Sequence, residues 1–104
     1  MERYDVRHSD PAIEDLSDIL RHFIEVKKEP QTALSLLDAI DEKVGSLSAM
    51  PHRCPLVRDE FLRSLGYRLL VVGNYIAFFT IDESQRVVNI ERVLYARRDW
   101  QNIL

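Results

Sequence analysis

The sequence predicts an α+β fold with the order β-α-α-β-β-β, a helical hairpin packed on a mainly antiparallel sheet. Three observations carry that reading. Residues 11–49 hold two apolar stripes at helical spacing, separated by a proline. Residues 67–95 form three strand-like runs, divided by turns too short for a crossover connection. The whole chain is 104 residues, 46% hydrophobic and 30% charged, with three Gly and four Pro. That composition suits one folded domain over 1–104 and not a disordered tail.

Each element follows from its residues. Tyr4-Asp5-Val6-Arg7-His8 alternates apolar and polar, as a short strand does. Asp10-Pro11 then reads as a helix start, with Asp10 as the N-cap and Pro11 in the first position. Ile13, Leu16, Ile19, Leu20, Phe23 and Ile24 make a stripe that faces the sheet. Acids in the early turns (Glu14, Asp15, Asp18) and Lys27-Lys28 at the end match the helix dipole. Past Pro30 a second stripe runs through Ala33, Leu36, Leu37, Ile40, Val44 and Leu47, and Met50-Pro51 stops it. The short link between the two helices makes them an antiparallel pair. Residues 51–66 carry two Pro and a Gly and no sustained period, which reads as an ordered loop with one turn of helix. The strands Tyr67–Val72, Tyr75–Asp82 and Val87–Tyr95 follow, joined by Gly73-Asn74 and Glu83–Arg86 as a meander. In the last strand, period two places Glu91, Val93 and Tyr95 on one face, and Arg92 and Leu94 on the other. Trp100 in the tail reads as a hydrophobic plug.

Several classes of protein are excluded. One cysteine, Cys54, cannot staple a secreted scaffold, and CxxC zinc sites go with it. His8, His22 and His52 show no ligand spacing, and Gly45, Gly66 and Gly73 are isolated, so neither a metal nor a cofactor site is expected. No apolar run is long enough to cross a bilayer, and the polar start MERYDVRH is unlike a signal peptide, so a cytoplasmic protein with no membrane partner is expected. The net charge of −3 hides an asymmetry. Up to Pro51 the chain has six basic and eleven acidic residues, net −5; beyond it stand eight basic, all Arg, and six acidic, net +2. Arginine offers a planar fork suited to phosphate or carboxylate.

The chemistry on offer sits at strand ends. Tyr95, Arg97 and Arg98 close the last strand, where side chains reach a cleft. A phenol beside two guanidinium groups suits proton transfer, and the guanidiniums suit a phosphate whose charge is building. Arg68, on the first strand of the meander, is the second candidate for that cleft. Surface ion pairs and core packing are the commoner roles of such residues and the competing account of all four. Glu60 is a further carboxylate in the loop, and Cys54 reads as an inert thiol.

At this point the chain resembles the RelE/ParE superfamily of bacterial type II toxin–antitoxin toxins. The resemblance spans Tyr4 and Val6, the 12–19 helix, the Pro51 loop, the meander from Leu65 to Tyr75, Ile81-Asp82, and Arg92 to Asp99. It implies a growth-inhibiting toxin neutralised by a cognate antitoxin. RelE-like members cut mRNA at the ribosome without a metal, through the RNA 2′-hydroxyl. ParE-like members inhibit DNA gyrase and lack the cleavage site. By this resemblance Tyr95 falls where RelE-like enzymes often carry a His or basic catalytic group. Arg97 or Arg98 falls near their C-terminal Arg, and Arg68 near a basic residue on the equivalent strand. Tyr75 and Ile76 stand where those enzymes commonly place another Arg. The Tyr95-Arg97-Arg98 cluster puts a metal-independent endoribonuclease acting on ribosome-bound mRNA first among the expected functions, ahead of a gyrase inhibitor. The missing Arg, the acidic balance and the long hairpin favour a gyrase inhibitor, and an inactive relic that only binds antitoxin is the third alternative. Arg68, Tyr95, Arg97 and Arg98 are expected to converge on one phosphate-sized cleft at the end of the last strand, catalytic in the nuclease reading, with the Arg residues as contact residues in the gyrase reading.

Overall fold

Strand β1 (Asp5–His8) leads into helix α1 (Asp10–Arg21), and α1 continues as a π-helical turn over His22–Val26. Helix α2 (Pro30–Gly45) runs back and ends in a 3₁₀ turn at Ser46–Ser48. A second such turn (Pro51–Arg53) and the short helix α3 (Glu60–Ser64) occupy the loop before the meander β2 (Arg68–Val72), β3 (Tyr75–Asp82) and β4 (Val87–Tyr95). A last 3₁₀ turn spans Trp100–Asn102. This computed structural model describes residues 3–104.

The four strands form one sheet in the order β1-β4-β3-β2, antiparallel except where β1 runs parallel to β4. The α+β reading therefore holds, as do the strand boundaries of the meander, except that β2 begins at Arg68 and not at Tyr67. Gly73, at φ +58°, makes the two-residue turn between β2 and β3, a backbone region that L side chains rarely adopt.

The start of α1 differs from expectation. Ser9, not Asp10, is the N-cap: its hydroxyl accepts from the Ala12 N–H at 3.1 Å and donates to the Glu91 carbonyl at 2.8 Å. The physical reason lies in the sheet. Strand β1 ends opposite Ile90, so beyond that point β4 has no strand on this side. Ser9 and the first turns of α1 cover the open edge, and Asp15 accepts from the Val93 N–H at 3.0 Å. That anchoring also rotates the helix. Ala12, Asp15, Leu16 and Ile19 face inward, whereas Ile13 and Ile24 are 51% and 46% exposed, against the stripe expected from periodicity. The α2 stripe holds, with Ala33, Ile40 and Val44 buried on the helix and Leu47 just after it.

Two cores flank the sheet. Beneath the hairpin, Ile40, Val44, Leu47, Phe79, Val88, Ile90 and Val93 pack together. On the opposite face, Phe78, Leu94, Val57 and Leu62 are covered by the loop and by Trp100, Ile103 and Leu104. Trp100 packs against Phe78 with ring centroids 5.0 Å apart and the planes tilted by 38°, so the plug reading holds. Burial of these rings in place of water is the main stabilising term of such a layer.

A bulge at Glu91 breaks the period of β4. Phe78 pairs with Arg92 and Phe79 with Ile90, which leaves Glu91 as the extra residue. Val93 lies in the core beneath the hairpin, but Glu91 accepts from the Thr80 hydroxyl at 2.9 Å on the other face. Glu91 and Val93 therefore do not share a face, which corrects the simple alternation. The shift leaves Val93 and Tyr95 together on the helix side of the sheet.

Candidate functional site

Tyr95 is the last residue of β4 and pairs with Tyr75, the first of β3. Their rings meet edge to face, 5.7 Å apart at 70°. After Tyr95 the chain turns at once: the Ala96 N–H donates to the Asn74 carbonyl at 2.8 Å, and the Arg98 N–H to the Tyr95 carbonyl at 3.0 Å. This turn brings Arg98 back beside Tyr95. Opposite stands the end of α1 with its π-turn. Between them opens a cleft of about 620 Å³, lined from the helix by Ile19, His22, Phe23 and Lys27, and from the sheet by Tyr75, Tyr95 and Arg98.

Hydrogen bonding fixes one wall. Arg92 grips Asp15 through two parallel bonds, Nε to Oδ2 at 2.7 Å and an Nη to Oδ1 at 2.8 Å. Asp15 is 8% exposed and also holds the Val93 N–H, so its carboxylate joins α1 to β4 by three bonds. Hydrogen bonding to Asp15 raises the Arg92 guanidinium above its ordinary value, so Arg92 stays charged. Burial, with the Tyr95 hydroxyl as the smaller cause, pushes the Tyr75 phenol upward. Tyr75 is thus a hydrogen-bond donor at neutral pH.

The four residues expected to converge do not all do so. Tyr95 and Arg98 line the cleft; Arg97 is exposed outside it. Arg68 lies at the other end of the sheet, opposite Phe79, which stands four residues along β3 from Tyr75, about 13 Å of strand. The meander itself requires this separation. Strands β2 and β4 both run antiparallel to β3, so the start of one lies far from the end of the other. Arg68 there donates to the Cys54 carbonyl at 2.6 Å and the His52 carbonyl at 3.4 Å, clamping the loop onto β2. It borders a smaller recess, about 220 Å³, beside His52 and Glu83. His52 pairs with Glu83, whose other oxygen accepts from the Tyr4 hydroxyl at 2.9 Å. Glu60 is exposed on α3 and Cys54 is buried, its thiol pushed up by that burial. Among the described residues no three His, Cys, Asp or Glu side chains gather as metal ligands.

Sequence reasoning missed His22, Lys27 and Asp15. Lys27 looked like a dipole partner, and Asp15 like one of several first-turn acids. The signal for Asp15 was its place three residues after Ala12 and four before Ile19, on the stripe that the helix buries.

Residues 6–100 match the family model described as the ParE toxin of the type II toxin–antitoxin system, parDE. Among solved structures, one described as the chromosomal ParDE toxin–antitoxin system from P. aeruginosa superposes with a TM-score of 0.74 at 22% identity, covering 91% of this chain and 98% of that one. Another, the RelBE2 toxin–antitoxin complex from Mycobacterium tuberculosis, gives a TM-score of 0.63 at 26% identity, with coverage of 89% and 98%. No curated protein matches significantly. With the family model spanning nearly the whole chain and the same fold in both complexes, the chain belongs to the ParE toxin family of type II toxin–antitoxin systems, within the RelE/ParE superfamily.

Proposed function

We propose that this toxin arrests growth in the cytoplasm by inhibiting DNA gyrase, and that a cognate antitoxin neutralises it. One observation carries the choice of target: the basic groups that mRNA cleavage calls on are dispersed. Arg68 is committed to the loop carbonyls at the far end of the sheet, and Arg97 stands outside the cleft. A crowded phosphate in a cleavage transition state needs correctly placed donors at one point, and of the four residues that the resemblance implies for that work only Tyr95 and Arg98 line the cleft. The match to the ParE family model supports the same reading. The antitoxin is supported by the fold shared with the ParDE and RelBE2 complexes.

A second reading keeps one specific observation in its favour. Tyr95 and Arg98 do share a cleft, the pairing that ribosome-dependent mRNA cleavage would use for proton transfer and phosphate binding. One experiment separates the two. The wild type and Tyr95→Phe are induced in cells, and DNA supercoiling, mRNA integrity and protein synthesis are followed together. For a gyrase inhibitor, supercoiling falls first and Tyr95→Phe keeps its toxicity. For a nuclease, mRNA is cut first and Tyr95→Phe loses about 10²–10⁴-fold of the cleavage rate.

A further inference from the structure

The π-turn at the end of α1 decides which side chain closes the cleft. In a continuous α-helix successive residues turn by about 100°, so the seventh residue after Ile19 returns to the same face. That residue is Val26. The Lys27 N–H bonds instead to the His22 carbonyl five residues back, at 3.0 Å, which inserts one residue into the turn. Lys27 takes the place on the cleft, and Val26 is turned out, 69% exposed. A wide turn is less favourable than regular helix and recurs at functional positions. Here it exchanges an apolar side chain for a cation.

The cleft that results is rich in free donors. Asp15 and Asp18 on its wall are engaged by Arg92 and Arg21. Among the described residues nothing bonds to the Lys27 ammonium or the Arg98 guanidinium. The Tyr75 phenol, held protonated, adds a third donor, and the Tyr95 hydroxyl lies beside it. Below these lie the Phe23 ring, Ile19 and Val93. An oxyanion meets two cations and phenol donors, while a planar apolar body meets aromatic rings. A volume of about 620 Å³ lies within the range of small-molecule sites.

From this we infer that the cleft between the α1 π-turn and the β3–β4 end is a binding site for a nucleoside monophosphate, with Lys27 and Arg98 on the phosphate and the aromatic wall against the base. The inference does not rest on the gyrase reading; in the nuclease reading the same cleft would take one nucleotide of the mRNA. The ligand is either a free nucleotide or one nucleotide of a single strand, and both present the same chemistry.

The test uses the purified full-length toxin at low salt, with calorimetric titration of GMP, AMP, dTMP, guanosine, inorganic phosphate, a dT hexamer and the acetylated peptide (Glu-Leu)₃. The monophosphates are expected to bind with submillimolar affinity, and guanosine about tenfold or more weaker. Lys27→Ala and Arg98→Ala each weaken GMP by about tenfold or more, at unchanged melting temperature, since both side chains are exposed. The decisive variant exchanges neighbours, Val26→Lys with Lys27→Val, which keeps the net charge and moves the cation off the cleft. It should weaken GMP as Lys27→Ala does. A dT hexamer that binds more tightly than dTMP identifies a strand as the source; equal affinity identifies the free nucleotide. The inference is overturned if no monophosphate binds, if the exchanged variant binds like the wild type, or if the acidic peptide binds and the nucleotides do not.

Discussion

Asp15 is the buried charged residue among the described residues, and it ties α1 to β4. Its carboxylate satisfies the Arg92 guanidinium and the Val93 N–H on an edge where β4 has lost its strand partner. Removing it leaves a largely buried cation and an open N–H without partners. Asp15→Ala is therefore expected to destabilise the fold by about 2–4 kcal/mol, read as a lower urea midpoint at unchanged slope. Asp15→Asn keeps an acceptor for the Val93 N–H and should lose less. Cys54 supplies a second check at this scale. Its thiol is raised by burial, with Arg53 and Arg68 opposing only in part, so less thiolate is present at a given pH than in the unfolded chain. Iodoacetamide at pH 8 should label the native protein far more slowly than the same chain in urea; equal rates would contradict the burial. Such residue roles were only partly legible beforehand. An inert Cys54 followed from the lack of a base nearby, but Asp15 pairs with a residue 77 positions away, and no local pattern announces such a bond.

Among the elements, the meander was readable because its signals are local. Alternating apolar residues and the Gly73-Asn74 turn specify strands and their link within a few positions. The deviations come from tertiary packing. Neither the bulge at Glu91 nor the π-turn at His22–Val26 contains a Gly or Pro to mark it. The helix start shows the same conflict between local preference and packing. Asp10-Pro11 is a good start by propensity, but Ser9 wins because its hydroxyl serves the helix and the Glu91 carbonyl at once. Ser9→Ala should cost about 1–2 kcal/mol, and Asp10→Ala only a few tenths, in thermal or urea unfolding. The reverse order would return the cap to Asp10.

Over the whole molecule, the sheet separates what the sequence seemed to gather. Arg68 and Tyr95 lie at opposite ends because the first and third strands of a meander run the same way. Family and fold were legible from degenerate segments in the right order; the arrangement of the basic residues depended on topology and on one turn after β4. Tyr95 and Arg98 do line a cleft at the strand end, but its other wall came from α1, whose expected stripe is only partly the buried one. The proposed target is gyrase and not mRNA. The most direct measurement is supercoiling of relaxed plasmid by purified gyrase and ATP, with the toxin titrated in and the antitoxin complex as control. The account predicts that toxin alone blocks supercoiling in proportion to its concentration, that Tyr95→Phe blocks it as well, and that the antitoxin complex does not. Undiminished supercoiling at a molar excess of active toxin would contradict it.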